Sequence, residues 1–427
     1  MAVRDKIYHL VGIGLGPANL STAALLHKCA GTDVIFLEQK EKFSWHTNMM
    51  FDFSNINVGF YKDLVTLVDP TNPYSFMNYL VANNKQYSFF SSSFNRVSRA
   101  EFEQYFHWVA QSISYILFSC KIDQVEYQEN KKLFIVESNK GTFLAKNILI
   151  GTGIIPKLPD WISDDEASVF HGYNYLSNKR SFNNENVLIV GGGQSSAEVI
   201  YSLLENDQSL PARIYWVTKK GYPVILDENP FANDIYTPAF AEFFYNLDVS
   251  KREELGKVLR DTSDGIHEAL LTKIYQRLFF LNKTNSLSIK LSLFPLSKLH
   301  DLEKYSPSDV HTNEKYKAIL NGLVNKSIDN IDRVIFCTGF THKNSNLLRN
   351  LKNYYGDKIE IEKDFSIRKI NNEENRIFVN NGAKSFYGPA DPNLSLLPWR
   401  SAIIINSLLK ENIYPLNNEE EMIYWGK

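Results

Sequence analysis

A short apolar run that breaks into a glycine-rich turn, at residues 8–20, constrains the fold of this 427-residue chain more than any other feature. A helical pattern follows from about Ala18, and a second apolar run at residues 34–37 ends on Glu38. The order strand, turn, helix, strand predicts a dinucleotide-binding βαβ unit, whose glycines let a pyrophosphate approach the amide groups of the helix N-terminus. We expect Glu38 to bind a ribose hydroxyl. The other predicted contacts belong to the turn itself: Gly12, Gly14, Gly16 and Pro17.

The same pattern returns near the middle of the chain. Residues 186–190 are predicted to form a buried strand, a glycine turn then opens a helix, and residues 214–217 form the next strand. The predicted dinucleotide contacts in this turn are Gly191, Gly193, Gln194, Ser195 and Ser196. Lys219 and Lys220 follow the second strand where an acid would favour a free ribose hydroxyl, and basic residues there favour a 2′-phosphate. We therefore predict NADPH over NADH at this site, with two solvated surface lysines as the alternative.

Composition bounds the partners and the compartment. The formal net charge of −2 gives no argument for a nucleic acid or an anionic membrane as partner. Three well-separated cysteines without a C-x-x-C motif indicate neither a disulfide framework nor a thiol-redox pair, and we predict no metal site. The chain contains no run of about 18 apolar residues, so no transmembrane helix is predicted. The first strand leaves no room for a signal peptide before it, so we expect a soluble, cytoplasmic protein.

The segments between the two glycine turns differ in character. Residues 43–80 are rich in Asn, Asp, Pro and aromatic residues without a clear period, which is typical of a long functional loop. An apolar repeat of three to four residues at 99–110 predicts a helix with its aromatic side chains in the core. Alternation over residues 121–150 predicts antiparallel strands, the last of which ends in a Gly-Thr-Gly cluster typical of chain beside a nucleotide. Pro156 and Pro159 then suggest a domain boundary.

The second half of the chain supplies further helices and strands. The pattern over residues 227–280 is mostly helical, and we interpret this insertion as a substrate cap. A strand at 332–336 leads into a second threonine–glycine pair, and a strand at 377–379 and a helix at 399–409 follow. These elements predict an α/β protein with two Rossmann-like dinucleotide-binding domains and a small helical cap.

Two dinucleotide sites in one chain usually hold FAD first and a nicotinamide dinucleotide second, so that hydride can pass between the two rings. We therefore predict an FAD-binding domain at residues 1–160 and 332–427 and an NADPH-binding domain at residues 161–331. The absence of a C-x-x-C motif argues against a disulfide reductase. Molecular oxygen is the remaining common electron acceptor, which predicts a monooxygenase. A nucleotide-binding module without enzymatic activity is the alternative from another class.

A series of short motifs runs in order over nearly the whole chain. They are GIGLGPANL at 12–20, FSWH at 43–46, KDLV at 62–65, PTNPYSF at 70–76, GGGQS at 191–195, LDE at 226–228, FAN at 231–233, TSDGI at 262–266, LSL at 394–396 and WRSA at 399–402. Jointly they resemble the N-hydroxylating flavin monooxygenases of siderophore biosynthesis, the lysine and ornithine side-chain N-hydroxylases. The details are closer to the lysine enzymes than to the ornithine enzymes.

The resemblance implies a reaction and a set of site residues. NADPH reduces FAD, oxygen adds to form a flavin C4a-hydroperoxide that bound NADP⁺ protects, and a neutral primary amine attacks its distal oxygen. Lys62 would hold the substrate carboxylate, Asn233 the α-amino end, and Ser395 would lie beside flavin or substrate. Further cofactor contacts implied by the matching motifs are Trp45, His46, Asn57 and Leu396. From the residues alone, a surface pair of Lys62 with Asp63 and capping roles for Asn233 and Ser395 are the alternatives.

Departures from the family's motifs leave the amine open. Asn57 stands where relatives usually carry glutamine, Tyr387 where they carry histidine, and residues 49–52 depart from a proline-containing loop. All three lie in segments that the resemblance places around flavin or substrate. The expected substrate is L-lysine or L-ornithine, and a decarboxylated amine such as putrescine, cadaverine or histamine is the alternative. More distant alternatives are a flavin monooxygenase acting on carbon or sulfur and an uncoupled NADPH oxidase. The resemblance also implies a homo-oligomer, a tetramer.

Overall fold

The computed structural model describes residues 6–29, 31–94, 96–162, 167–178, 181–284, 289–306, 314–323, 325–342, 351–356, 359–370, 374–416 and 422–425. Its strands are β1 (Ile7–Ile13), β2 (Val34–Leu37), β3 (Ile116–Leu117), β4 (Ile122–Gln128), β5 (Leu133–Ser138), β6 (Gly141–Ile150), β7 (Ile154–Pro156), β8 (Val169–His171), β9 (Asn186–Val190), β10 (Arg213–Val217), β11 (Lys290–Phe294), β12 (Ser297–Tyr305), β13 (Lys315–Gly322), β14 (Lys326–Ile331), β15 (Arg333–Phe336), β16 (Phe340–His342) and β17 (Ile377–Val379). Its α-helices are α1 (Pro17–Leu25), α2 (Phe76–Ala82), α3 (Gln86–Ser91), α4 (Arg99–Ser112), α5 (Gln194–Glu205), α6 (Pro230–Asn233), α7 (Pro238–Asn246), α8 (Val249–Val258), α9 (Asp261–Asp264), α10 (Glu268–Phe279), α11 (Lys352–Tyr355), α12 (Lys384–Tyr387) and α13 (Leu397–Leu409).

The first glycine turn belongs to a seven-stranded sheet. The strand order is β3-β2-β1-β6-β5-β4, and β17 also pairs with β6. β1 runs parallel to β2 and β6, whereas β4, β5 and β6 form an antiparallel meander. Leu10 and Val11 in β1 are fully buried, as expected for a strand that is covered on both faces. The sequence predictions of the βαβ unit and of the meander are therefore confirmed.

Helices α1, α4 and α13 pack together in the core of this first unit. The aromatic residues of α4 that face this core, Phe102, Tyr105 and Phe106, are each at most 1% exposed, which confirms their predicted core role. Hydroxyl groups join the helices: the Thr22 and Ser401 oxygens lie 2.9 Å apart between α1 and α13. Helix α1, which follows the first glycine turn, is therefore held by α4 and by α13.

The second glycine turn belongs to a five-stranded parallel sheet with the order β11-β10-β9-β15-β8. The predicted βαβ unit of β9, α5 and β10 is confirmed. The predicted boundary at residue 332 placed β15 in the FAD-binding domain, whereas β15 pairs with β9 and β8 in the second sheet. A four-residue strand carries no local signal of the sheet that it joins. Which sheet it joins depends on packing against side chains that are distant in sequence. Ile335 in β15, for example, packs in the same core as Ile189.

The predicted helices at residues 227–280 are present as α6 to α10, but they do not form a separate small unit. Phe240 and Phe244 of α7 pack into the core of the first sheet, whereas Leu270 and Ile274 of α10 pack against the second sheet. In the described residues, no helix has both the length and the apolar character needed to cross a bilayer.

The chain passes between the two sheets through a pair of short linkers. β7 and β16 form a two-stranded antiparallel ribbon, with Ile155 opposite Thr341. β7 ends at Pro156, where the sequence suggested a boundary. The loop at residues 47–53 also bridges the units, since Met49 and Phe51 pack into the core of the second sheet. The two linkers and the loop at residues 47–53 therefore connect the unit of the first glycine turn to the unit of the second.

Candidate cofactor and substrate site

The first glycine turn lies at the carboxyl ends of β1 and β6, where the strand order of the sheet reverses. Gly14 has a φ of +82°, and a Cβ there would lie 2.6 Å from the carbonyl oxygen of Gly151. Gly16 precedes α1 with a φ of −80°, and no atom lies within 4 Å of the place a Cβ would take. Such a switch point beside an open helix N-terminus is where open α/β sheets bind dinucleotide phosphates.

Glu38 lies beside this turn, at the end of β2. Its carboxylate is buried and accepts hydrogen bonds from the backbone N–H groups of Leu15, at 2.7 Å, and Lys40, at 2.9 Å. These bonds brace the glycine turn, a role that the sequence did not predict. The predicted ribose contact of Glu38 stays a prediction.

Several buried polar atoms of the first unit have no hydrogen-bond partner in the described part of the chain. They include Asn19 Oδ1, Asn380 Oδ1 and Ser395 Oγ. Asn19, within α1, donates from its amide to the Gly14 carbonyl, and the Asn380 amide donates to the Thr22 hydroxyl of α1. Unsatisfied buried polar groups are costly, and the hydroxyls, phosphates and ring edges of FAD offer suitable partners. The residues at this turn therefore fit FAD, and Ser395 does not act as a cap.

Trp45 and His46 lie just before the loop that bridges the two units. The backbone N–H of Trp45 donates to the Glu103 carboxylate at 2.7 Å. The rings of Trp45 and His46 meet edge to face with their centroids 4.7 Å apart. Burial, with a contribution from the Arg99 guanidinium, lowers the pKa of His46 to about 4, so its imidazole is neutral at physiological pH. Leu396 is buried and Asn57 is exposed. Their cofactor contacts stay predictions.

Lys62 and Asp63 point to different surroundings, so the alternative of a surface pair is wrong. Asp63 is 2% exposed and accepts hydrogen bonds from the backbone N–H groups of Val65, Thr66 and Phe76. The Lys62 side chain is half-buried, and its ammonium has no hydrogen-bond or ion-pair partner within the described residues. Burial lowers the pKa of this ammonium from its ordinary value. Lys62 is thus a partly desolvated cation without an anionic partner in the described part of the chain.

The backbone that carries Lys62 is held by two helices. The Ser21 hydroxyl of α1 donates to the Leu64 carbonyl at 2.6 Å. The Tyr105 hydroxyl of α4 accepts from the Leu64 N–H and donates to the Tyr74 carbonyl at 2.8 Å. Lys62 is therefore attached to the same helix, α1, whose N-terminus opens at the first glycine turn.

Asn233 and the departing residues occupy more ordinary places. Asn233 ends α6, is exposed and donates to the Glu228 carbonyl at 3.0 Å, while Asn229 caps that helix. Asn233 precedes the 3₁₀ turn Asp234–Tyr236, but its side chain makes no capping hydrogen bond there, so the capping role considered for it is wrong. Its substrate contact stays a prediction. The Tyr387 ring stacks on Phe365 with centroids 4.4 Å apart, and its hydroxyl donates to the Lys363 carbonyl. This departure fills a core and gives no sign of a changed pocket.

A large cleft of about 1450 Å³ opens at the carboxyl ends of β9 and β15, the point where the order of the second sheet reverses. The predicted residues that line it are Gly191, Gly193, Gln194, Ser195, Lys219 and Lys220. Its lining carries nine basic and three acidic side chains, so it suits an anionic ligand. The predicted residues of the first turn, with Lys62, Asn233 and Ser395, do not line this cleft.

Gln194 and Ser196 use their polar groups within the protein. The Gln194 amide oxygen accepts from the His267 N–H at 2.9 Å, and its nitrogen donates to Glu198 at 2.9 Å. Ser196 is fully buried and donates to the Gly193 carbonyl at 2.6 Å. Lys219 is exposed, and the Lys220 ammonium donates to the Asp264 carbonyl at 3.1 Å. The dinucleotide contacts predicted for these residues stay predictions.

The opposite wall of the cleft was missed by sequence reasoning. Its residues come from α8 and the turn that follows: Val249, Arg252, Glu253, Gly256, Lys257 and Arg260. Their spacing of three and four residues marks one face of a helix, and this recurrence was the available signal. This face brings cationic side chains of the helical insertion to the cleft.

Comparison with known proteins decides the family. The model of the family described as L-lysine 6-monooxygenase/L-ornithine 5-monooxygenase matches residues 6–342. The chain belongs to this N-monooxygenase family. It is 32% identical to the L-lysine N6-monooxygenase of Escherichia coli over 98% of this chain and 99% of that protein. It is 30% identical to a putrescine N-hydroxylase of Acinetobacter baumannii, over 96% and 92% of the two chains.

Solved structures support the same conclusion. The FAD-bound cadaverine monooxygenase of the desferrioxamine pathway of Erwinia amylovora is similar with a TM-score of 0.89 and 25% identity, over 98% of each chain. The N-monooxygenase assignment confirms the predicted reaction class, N-hydroxylation of a primary amine with FAD, NADPH and oxygen in siderophore biosynthesis. The parallel pairing of β1 with β2 and β6, and the fully parallel second sheet, confirm the predicted α/β class with Rossmann-like units.

Lys219 and Lys220 should set the preference of this N-monooxygenase for NADPH. We expect NADPH to bind more tightly than NADH. The combined Lys219→Ala, Lys220→Ala change should lower the ratio of the NADH dissociation constant to the NADPH dissociation constant. A charge-assisted contact with the 2′-phosphate is worth about 1.5–3 kcal/mol, roughly 10- to 100-fold in binding. The measurement is nucleotide binding followed by flavin reduction, with Lys131→Ala, an exposed lysine of the first sheet, as the control. Equal constants for both nucleotides in the unmodified protein would show that these lysines are surface charges.

Proposed function

We propose that the chain hydroxylates the side-chain amine of L-lysine. Lys62 carries this proposal, because no described residue offers its half-buried ammonium an anion, while the neighbouring Asp63 accepts hydrogen bonds from backbone N–H groups. A desolvated cation is stabilised by an anionic partner, and L-lysine and L-ornithine bring a carboxylate that decarboxylated amines lack. The 32% identity to the Escherichia coli lysine enzyme supports lysine over ornithine.

A decarboxylated amine is the second candidate. The putrescine N-hydroxylase of Acinetobacter baumannii is nearly as similar in sequence, at 30% identity, and the cadaverine monooxygenase has a TM-score of 0.89. Such a substrate would leave the Lys62 ammonium without a carboxylate. The two candidates therefore differ in a single contact, which a substitution can remove.

In the proposed reaction the protein holds both ends of the amino acid. Lys62 binds the carboxylate and Asn233 the α-amino end, which leaves the side-chain amine as the reacting group. When bound, the two cofactors supply hydride from NADPH and activate molecular oxygen at the flavin. One oxygen atom enters the new N–O bond and the other leaves as water, with two electrons from NADPH. A water-poor site favours the neutral amine, because burial disfavours its ammonium form.

The helical insertion is proposed to cover the site. Helix α8 lines the cleft of the second glycine turn, and α7 packs its apolar face on the first unit. Because α10 of the same insertion packs on the second unit, the insertion as a whole is well placed to exclude water between the two cofactors.

A panel of amines tests the proposal. L-Lysine, L-ornithine, cadaverine, putrescine and histamine are each offered to the FAD-loaded enzyme, and the hydroxylated product is measured. NADPH consumption is unsuitable as the readout, because turnover without product also consumes it. We expect the highest kcat/KM for L-lysine. A higher kcat/KM for a diamine or for histamine would show that the substrate is a decarboxylated amine and not an amino acid.

We also propose a cytoplasmic homo-oligomer, a tetramer by resemblance. Exposed apolar side chains cluster on α2, α3 and the turn after them: Met77, Val81, Tyr87, Phe90 and Phe94. An apolar patch of this kind commonly marks a contact between subunits. Light scattering at micromolar concentration should give a mass several times the chain's 49.1 kDa, and the monomer mass would contradict the proposal.

A further inference from the structure

A pair of arginines at the start of α4, in the first unit, contacts the second unit. The Arg99 guanidinium donates two hydrogen bonds to Glu198 of α5, at 2.9 Å and 2.7 Å. The Glu198 side chain is 2% exposed and that of Arg99 15% exposed, so the pair is largely removed from water. Arg96 lies 2.9 Å from Glu228 and also contacts the imidazole of His267.

The Arg99 pair is continuous with the second glycine turn. Glu198 accepts from Gln194, the first residue of α5, and Gln194 in turn accepts from the backbone N–H of His267. Gly193, the N-cap of the same helix α5, lines the cleft predicted to bind NADPH. A hydrogen-bonded chain therefore runs from α4 of the first unit to the amide end of the helix that receives the NADPH pyrophosphate.

Arg99 also holds the loop that bridges the units. Its guanidinium donates to the Met49 carbonyl at 3.3 Å, and Met49 is buried in the core of the second sheet. The two linkers, β7 and β16, are only three residues long each and form a narrow ribbon. A narrow ribbon resists rotation poorly, so contacts elsewhere must fix the second turn relative to the first.

We propose that Arg99 and Glu198 form a positioning pair that sets the NADPH-binding turn against the first unit for hydride transfer. Arginine suits this role because its planar fork fixes direction as well as distance when it binds a carboxylate through two bonds. Neither side chain lines the cleft of the second glycine turn, and the pair acts through α5. The inference rests on NADPH-dependent flavin reduction and not on the identity of the amine.

A purely structural pair and a positioning pair give different results when both charges are removed. Breaking a buried ion pair by removing one partner strands the other charge and destabilises the fold. Replacing both partners with apolar residues of similar size is often neutral for stability. The combined Arg99→Met, Glu198→Met change therefore restores stability if that was the role of the pair, but it cannot restore the fixed direction of the two-bond fork.

The experiment compares Arg99→Met, the combined Arg99→Met, Glu198→Met variant and Arg99→Lys as FAD-loaded enzymes. The matched control is Arg333→Met, which breaks a two-bond pair with Glu185, also partly buried, within the second unit. The measurements are the melting temperature, the NADPH dissociation constant, the limiting rate of flavin reduction, and hydrogen exchange at residues 154–156 and 340–342. The exchange measurement reports on the linkers without any turnover.

We expect the combined variant to melt near the temperature of the native protein, yet to reduce its flavin about 10- to 100-fold more slowly at saturating NADPH, because small misplacements have effects of this size. Its NADPH dissociation constant should stay within about threefold, its linkers should exchange faster, and Arg99→Lys should recover part of the rate. Arg333→Met should leave the rate and the linkers unchanged. A native limiting rate with native linker exchange in the combined variant would overturn the proposal, whatever the single variant does.

Discussion

Gly16→Val should purify without FAD. The structure leaves open space where the new side chain would stand, and the φ of −80° suits any residue, so the free protein accommodates the change. The same space is the approach of the pyrophosphate to the α1 N-terminus, and two methyl groups there would exclude it. Loss of a helix-capping glycine costs about 1 kcal/mol at most, which is small beside the expected loss of cofactor. The measurement is FAD content per chain from the flavin absorbance of the purified protein.

Two further glycines sharpen this test. Gly221→Val is the matched control, because that position also has open space and lies outside both glycine turns, so FAD should be retained. Gly14→Val is a poorer choice, since a φ of +82° and the nearby Gly151 carbonyl would distort the turn even without cofactor. Stoichiometric FAD in folded Gly16→Val protein would mean that the flavin lies elsewhere.

Lys62→Ala should weaken the use of L-lysine strongly and leave cadaverine unaffected. The contact removed is a charge-assisted bond between the Lys62 ammonium and the substrate carboxylate, worth about 1.5–3 kcal/mol and so roughly 10- to 100-fold in KM. Cadaverine has no carboxylate, so its kcat/KM should be unchanged or should rise. The measurement is the ratio of kcat/KM for the two amines, taken from hydroxylated product.

Cadaverine serves as the internal control for this variant, because damage to the fold or to FAD binding would lower both values together. A charge-preserving change, Lys62→Arg, should keep most of the preference for L-lysine. If Lys62→Ala lowers kcat/KM equally for both amines, or for neither, Lys62 does not bind the substrate carboxylate.

The glycine turns and the helices around them could be predicted because their signals are local. Turn glycines, a strand period of two and a helix period near 3.6 are all written within a dozen residues, and β1, α1, β9 and α5 formed where these patterns stood. The assignment of β15 failed for the opposite reason. Its partners, β8 and β9, lie about 150 residues away in sequence, and apolar strands pair according to packing that no short window records.

The site was predictable in its cofactor turns and less so in its supporting contacts. The sequence shows that Lys62 and Asp63 are neighbours, but it could not predict that their side chains point to different surroundings. The Asp63 carboxylate is buried because it accepts hydrogen bonds from backbone N–H groups such as that of Phe76, 13 residues away. Gln194 lines the cleft as predicted, but the sequence did not show that its amide also joins Glu198 and His267, which meet only after folding. Such contacts depend on tertiary structure, and no motif encodes them.

The most direct test of the account is the yield of N6-hydroxylysine per NADPH oxidised, measured with the FAD-loaded enzyme, saturating L-lysine and oxygen. Hydrogen peroxide is measured in the same reaction, since it accounts for NADPH that is used without product. The account predicts a ratio of about one hydroxylysine per NADPH and little peroxide, as expected when the reacting amine is held at the site. A reaction in which peroxide accounts for all of the NADPH, with no hydroxylysine formed, would contradict it.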